Sequence, residues 1–374
     1  MTRRESLAAL APLFTAAAPD PAVRIGIVGG RFGAGFQWHL DPDCRVDAVC
    51  DIRDDALDNL AKTYGCRNRY KSYSEMLRHA GLNAVGIFTP APLHVPMAVE
   101  ALKAGKHVIS AVPAGMNVEE LELLLETVRK TGLRYMMAET SFYRPEIITC
   151  RQWAAEGRFG TIFHSEAEYH HEGLIALMFE KDGKPTWRHG FPPMHYPTHS
   201  TGLVIPVINE RLREVSCLGW GDGHEVLKSN VYKNPFWSET ALFKTSSGHA
   251  SRIMVSWHIS AGEIERGLFY GDKLSYVMRR PEGSPNTVFV SSKGTPREEP
   301  DYFETLPPAM RVKTGHGNSH TFITHEFVRA VAENRHPTVN VWEAIAYTLP
   351  GIVAHQSALR GGETLKIRDY GRAG

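Results

Sequence analysis

A buried-strand pattern runs straight into glycines, and a second apolar run ends in an acid where a dinucleotide fold needs one. Val23–Val28 reads Val-Arg-Ile-Gly-Ile-Val, a short apolar run suited to a strand covered on both faces. Gly29 and Gly30 follow at once, then Arg31 and Phe32, with Gly33 and Gly35 close behind. The next apolar run, residues 46–50, leads into Asp51, 22 positions after Gly29. Glycines let the backbone turn tightly, admit a pyrophosphate against the main chain and leave amide N–H groups free at a helix start. A carboxylate ending the second strand accepts hydrogen bonds from ribose hydroxyls and repels a 2′-phosphate. Asp51 therefore argues for NAD over NADP, with Arg53 pulling the other way. Counted from Gly29, the second glycine position of the fingerprint is Arg31 and the third is Ala34. Arg31 suits a reshaped loop in which the guanidinium itself faces the phosphates.

The alternation continues as a doubly wound parallel sheet requires. Helices are expected over 55–64, closed by Gly65, over 74–80, closed by Gly81, and over 96–104, closed by Gly105. Strands are expected over 84–88, 108–110 and 133–138. Asn117 with Glu120 three residues on makes an N-cap for a helix that Gly132 ends, with Leu121, Leu124, Leu125 and Val128 on one face.

A chain of 374 residues exceeds what one core usually holds, so a second unit is expected. The reading divides it into an extension (1–22), a dinucleotide-binding Rossmann unit (23–145) and an α+β substrate-binding and oligomerisation unit (146–374). The formal net charge is +1, which gives no general attraction to nucleic acid or anionic lipid. No segment reaches the roughly 18 apolar residues of a membrane span. The five cysteines form no C-x-x-C pair and indicate neither a disulfide framework nor a zinc site. Arg3-Arg4, a short apolar run and Ala16-Ala17-Ala18 fit a twin-arginine export signal, but Pro12 breaks that run. A cytoplasmic protein is the first expectation and export the alternative.

Several stretches resemble the Gfo/Idh/MocA family of NAD(P)-dependent sugar and polyol oxidoreductases. They are Thr89-Pro90-x-x-Leu93-His94, Ala101-Leu102-Lys103-Ala104-Gly105-Lys106-His107-Val108, Trp342-Glu343-Ala344 and residues 351–358. The resemblance implies a Rossmann domain followed by a large open, mainly antiparallel sheet with helices on one face. It also implies a carbohydrate or polyol substrate and a homodimer or homotetramer. It brings Thr89, Pro90 and His94 to the cofactor. One departure matters. Where the family carries Glu-Lys-Pro, with the lysine serving in proton transfer, this chain has Ala111-Val112-Pro113. Val112 can line a substrate pocket but can neither donate, accept nor hold a charge.

In the second unit, helices are expected over 146–156, 322–333 and 342–359, and strands over 161–169, 268–278 and 288–290. Strands over 240–245 and 250–259 flank a Ser-Ser-Gly-His hairpin signal. Six histidines lie between 164 and 199. His195 and His199 are four apart, yet Pro197 is best placed at the first helical position, so His195 precedes the helix and no metal-ligand pair is indicated. Imidazole acid–base chemistry is the better fit near neutral pH. His199 takes the family's histidine position and His195 replaces its aspartate. Tyr196-Pro197-Thr198-His199 also resembles the motif of glycoside hydrolase family 109, a branch that uses bound NAD⁺ to cleave glycosides and likewise lacks the lysine.

The expectation is an NAD-dependent oxidoreductase moving hydride to or from a sugar or polyol. His199, assisted by Tyr196 and His195, replaces the lysine. Glu139, after the last strand of the first unit, is expected to face the cofactor. Arg144, His170, Trp187 and Arg188 are expected to contact substrate. The alternatives are redox-neutral glycoside cleavage and a non-catalytic sugar or NAD binder.

Overall fold

The computed structural model describes residues 21–260, 262–279 and 283–374. The paired arginines of the extension lie outside them. The first unit is a six-stranded parallel sheet ordered β3-β2-β1-β4-β5-β6. Its strands are β1 (Val23–Val28), β2 (Cys44–Cys50), β3 (Arg69–Tyr70), β4 (Ala84–Ile87), β5 (His107–Ser110) and β6 (Tyr135–Met137). The helices are α1 (Asp54–Tyr64), α2 (Tyr73–Leu77), α3 (His94–Lys103) and α4 (Val118–Thr131). Chain direction across the sheet reverses between β1 and β4, which opens a crevice at their carboxyl ends. The caps follow the sequence. Asn117 Oδ1 accepts the Glu120 N–H at 2.8 Å, and Gly65 and Gly132 end α1 and α4 in the left-handed region.

One expectation fails here. No α-helix follows β1; two short 3₁₀ turns, Gly33–Gly35 and Trp38–Leu40, make the crossover. Glycines at 29, 30, 33 and 35 weaken any helix, and the fully buried Phe36 and Trp38 fasten the segment instead.

After α5 (Pro145–Ala155) the chain builds a nine-stranded sheet ordered β14-β13-β12-β11-β7-β10-β9-β8-β15. Its strands are β7 (Ile162–His170), β8 (Leu212–Trp220), β9 (Ser238–Thr245), β10 (Ala250–Ser256), β11 (Ile264–Gly271), β12 (Ser275–Val277), β13 (Asn286–Val290), β14 (Lys293–Arg297) and β15 (Leu365–Lys366). The β7–β10 pair is parallel and the other neighbours are antiparallel. α6 (Thr198–Ile208) and α8 (Val341–Leu359) pack on one face. The other face leaves Leu218, Trp220 and Leu242 exposed. α7 (Ser319–Ala332) returns to the first unit. The strand expected over 268–278 is two strands, because Gly271 is crowded by the Phe159 and Leu274 carbonyls and the chain turns there.

Candidate active site

The cofactor end starts at the β1 carboxyl edge. Gly29 has φ 98°, and a Cβ there would lie 2.3 Å from Phe88 O. A Cβ on Gly30 would lie 2.1 Å from Ala56 O. Both positions need glycine, and the groove they leave is a cradle that side chains would fill. Asp51 is fixed beside it: Gly30 N–H donates to Oδ2 at 2.7 Å and Arg53 N–H to Oδ1 at 2.8 Å, leaving lone pairs for hydroxyl donors. These residues fit a dinucleotide. Arg31 stands exposed on the loop, whereas the Arg53 guanidinium is engaged by Asp55 at 3.2 Å. Thr89 and Pro90 sit at the carboxyl end of β4, facing the crevice edge.

Two residues expected at the cofactor do other work. His94 is buried, its ring nitrogens each 2.8 Å from the Thr89 and Pro113 carbonyls, so it staples two turns together. The Phe32 ring packs edge-on against Phe36, Phe88, His316 and His320, which fastens the glycine loop to α7 and the turn before it.

The candidate reactive centre forms where β6 ends and α6 begins. Glu139 is completely buried, and its Oε1 lies 3.0 Å from His199 Nδ1. The same oxygen accepts the Ser141 N–H at 2.9 Å. Burial alone would lower the His199 pKa, but the adjoining Glu139 carboxylate raises it above the ordinary value. Burial works against the Glu139 charge too, and His199 outweighs it, so that carboxyl is lowered. With Nδ1–H turned to Glu139, the neutral His199 ring carries its bare nitrogen at Nε2, and it is there that the ring takes up a proton. Behind this pair, Arg144 forks onto Glu265, with Nε at 2.6 Å from Oε1, and Ser141 Oγ donates to the same oxygen at 2.6 Å. Burial opposes the Glu265 charge, but Arg144 brings it down to about 2. Arg144, expected to contact substrate, is thus committed to Glu265. Glu139, expected to face the cofactor, is the partner of the base candidate.

Tyr196 stands edge-on to His199, ring centres 5.2 Å apart. Burial pushes its hydroxyl up to about 12, which keeps it protonated. The Arg188 charge acts on Tyr196, its guanidinium stacks 4.2 Å over Trp187, and Phe191 packs edge-on to both aromatic rings. Val112 is buried in the apolar core.

His195 and His170 lie elsewhere. His195 ends a 3₁₀ turn before α6, and its ring is 5.0 Å from His355, which pairs with Glu239 at 2.8 Å. Burial, with His355 beside it, lowers the His195 pKa to about 3, so it carries no proton to give. His170 was expected on the pocket wall. Alternation along β7 puts its neighbour Tyr169 there instead, ring centre 4.8 Å from His199. His170 points the other way, towards Glu168, Arg252 and Arg266.

Sequence reasoning missed four site residues: Tyr169, Glu265, His316 and His320. The stretch Gly315-His316-Gly317-Asn318-Ser319-His320 was a signal for the last two. The His316 ring lies nearly parallel to His199, 6.5 Å away. Among the described residues no group of three or more His, Cys, Asp or Glu stands where it could hold a metal ion.

Residues 23–139 match the oxidoreductase family with an NAD-binding Rossmann fold, Gfo/Idh/MocA. A "Glycosyl hydrolase family 109 protein" of Shewanella amazonensis is 33% identical over 204 residues, covering 50% of this chain and 45% of that protein. The chain thus spans about half the length of the curated relatives it matches. Among solved structures, levoglucosan dehydrogenase in complex with NADH and levoglucosan superposes with a TM-score of 0.78 at 17% identity, over 92% of this chain and 99% of that one. The scyllo-inositol dehydrogenase of Lactobacillus casei with NAD(H) and scyllo-inositol gives 0.71 at 17% identity, over 92% and 98%. Residues 23–139 thus carry the NAD-binding Rossmann unit of the Gfo/Idh/MocA oxidoreductase family, and the whole chain shares the two-sheet fold of these solved dehydrogenases.

Proposed function

We propose that this chain oxidises or reduces a carbinol carbon of a sugar or polyol, using NAD in preference to NADP, with His199 Nε2 as the group that takes or returns the hydroxyl proton. The observation that carries this is the Glu139–His199 pair: a buried carboxylate fixes Nδ1 and leaves Nε2 bare, while Val112 occupies the lysine position. The dinucleotide, held by the Gly29–Phe32 loop and Asp51, would supply the hydride acceptor. The protein does the rest. His199 accepts the proton, and Glu139 stabilises the imidazolium that results. Tyr196 donates a hydrogen bond to a sugar oxygen. Trp187 offers an apolar face to the ring, with Arg188 beside it.

General base catalysis contributes about 10²–10⁴-fold, so His199→Ala should lose that much turnover while NAD⁺ binding survives. A His199→Ala variant with full turnover overturns the assignment. A second reading, redox-neutral glycoside cleavage, is supported by the absent amine and by curated relatives named for family 109. Release of aglycone from a glycoside without net NADH accumulation separates it from dehydrogenation. The exposed sheet face with Leu218, Trp220 and Leu242 is the surface through which copies of the chain would pair.

A further inference from the structure

Alternation along β9 turns Glu239, Ala241 and Phe243 to the helical face, where all three are buried. Ala241 and Phe243 suit that face. A fully buried carboxyl does not, unless donors meet both of its oxygens. Glu239 has both. Oε2 accepts the Met194 N–H at 2.7 Å, and Oε1 accepts His355 Nδ1–H at 2.8 Å. His355 belongs to α8, and the His195 ring stands edge-on to it, centres 5.0 Å apart. One side chain of β9 thus joins α8 to the turn Pro193–His195. α8 also presses on that turn directly: a Cβ on Gly351 would lie 2.0 Å from Met194 O and 2.5 Å from Pro197 Cγ. The turn closes through Tyr196 N–H to Pro193 O at 3.0 Å. Tyr196 leaves it for the site, its ring 6.0 Å from Trp257 and 5.2 Å from His199. The start of α6 is therefore braced twice, by Glu139 on His199 and by Glu239 on the turn before it.

We infer that Glu239, backed by His355, is a positioning residue for Tyr196, acting through the Met194 amide. It fixes where the Tyr196 hydroxyl stands relative to a bound sugar. The inference rests on the proposed hydrogen bond from Tyr196 to a sugar oxygen. It goes beyond that reading, because Glu239 reaches the reaction only through the turn. A backbone amide that merely needed an acceptor would be satisfied by a neighbouring carbonyl, with no carboxyl taken out of water. A carboxyl accepts in two directions at once, so it sets the turn against two elements rather than one. Without that tie the turn is released, and the hydroxyl at the far end of the Tyr196 ring moves with it. A shift of about 1 Å carries a hydrogen bond of about 2.8 Å outside its range.

The test uses the full chain with NAD⁺ and a panel of hexoses, inositols and methyl hexosides. It reads cofactor reduction in a single turnover with sugar below saturation, which reports kcat/KM. Glu239→Leu removes both acceptors and Tyr196→Phe removes the hydroxyl, and each should lose about tenfold. The two losses should not multiply: in the Tyr196→Phe background Glu239→Leu should add no more than about twofold. Glu239→Gln, whose oxygen can still take the Met194 N–H, should keep most of the turnover. NAD⁺ affinity by titration should stay within about twofold throughout, which verifies the fold. Losses that multiply overturn the inference. So does a Glu239→Leu protein with full turnover, or a Glu239→Gln protein as impaired as Glu239→Leu. Should Glu239→Leu fail to fold, Gly351→Ala displaces the same turn from the α8 side and enters the same cycle with the same outcomes. Independently of any variant, the Met194 amide of the natural protein should exchange with D₂O as slowly as the amides of β9. Exchange as fast as that of an exposed loop overturns the inference. A panel in which no sugar reduces the cofactor, or a Tyr196→Phe variant with full turnover, overturns the underlying reading instead.

Discussion

Glu139→Gln isolates the charge of the base-holding carboxylate from its shape. Oε1 accepts both the Ser141 N–H at 2.9 Å and His199 Nδ1 at 3.0 Å. The Ser141 donor rejects an amide NH₂ at that position, so the glutamine oxygen must take it and the His199 tautomer is retained. Losing the tautomer as well would cost about 10⁴ in turnover, as in a triad whose aspartate becomes asparagine. A charge-assisted hydrogen bond is worth about 1.5–3 kcal/mol and a neutral one about half that, so losing only the charge costs about 0.8–1.5 kcal/mol, or roughly 4–13-fold. The smaller figure is therefore expected. The pH profile adds a sign. In the natural protein the acid limb of kcat/KM should report a raised His199 pKa. Without the carboxylate, burial is opposed only by the Glu265 charge, so the limb should move to lower pH. Stability follows the same pair. His199, raised in the fold, stabilises below its ordinary value of 6.5 and loses that effect as pH rises through its folded pKa. Glu139, lowered in the fold, stabilises above 4.5 and loses that effect as pH falls through its folded pKa. The difference in Tm between natural protein and variant should be widest between pH 4.5 and 6.5. Stopped-flow pH profiles and calorimetry measure both. An acid limb that moves upward, or a loss near 10⁴, refutes this account of Glu139.

Gly30→Ala forces a Cβ to within 2.1 Å of Ala56 O, so backbone must move. About 1–3 kcal/mol of stability should go, and an unchanged Tm contradicts the cradle. Asp51→Ala removes the acceptor of two backbone N–H groups and the carboxylate that would accept the ribose hydroxyls of a bound dinucleotide. By calorimetry, NAD⁺ affinity should fall about tenfold or more while NADP⁺ gains relative to it; a constant ratio denies Asp51 its selecting role. His94→Ala removes the ring wedged between the Thr89 and Pro113 carbonyls and leaves one of them without its donor. It should cost about 1–3 kcal/mol in chemical denaturation, with little effect on the His199 pH profile.

The first unit was legible because its signals are local. Strand runs, Gly65 and Gly132 at helix ends and the Asn117 cap act over a few residues, and the structure follows them. The crossover after β1 was misread because the fingerprint suggests a helix that glycine spacing does not support. In the second unit β8 pairs with the distant β9 and gave no local signal, while β14 closes a tight hairpin on β13 but is masked by Gly294 and Pro296, which weaken any strand pattern. The site was legible only where a motif named it. Tyr196 and His199 adjoin in the chain and in space. Tyr169 and His170 adjoin in the chain and face opposite sides of the sheet, so a period-two error moved the wrong one into the pocket. Glu265 and His316 reach the centre from more than fifty residues away, and no spacing rule finds such pairs.

The missing lysine has a structural consequence. An amine at position 112 would sit on the same unit as the glycine loop, so base and cofactor cradle would move together. His199 comes from α6, on the other sheet's helical face. Its distance from the dinucleotide is set by contacts across the seam between the units. Two of these are on the reacting side: Glu139 Oε1 to His199 Nδ1 at 3.0 Å, and His320 Nδ1 to Gly35 O at 2.9 Å. The first ties the end of β6 to the base. The second ties the glycine loop to the turn that carries His316. A displacement of about 1 Å at such a junction can cost about 10²-fold in rate without touching a reacting group. Buried hydrogen bonds at the seam therefore do for this chain what covalent neighbourhood would do for a base at position 112. Substitutions at Ser141, Gly35 or Gly315 belong functionally with substitutions at the base.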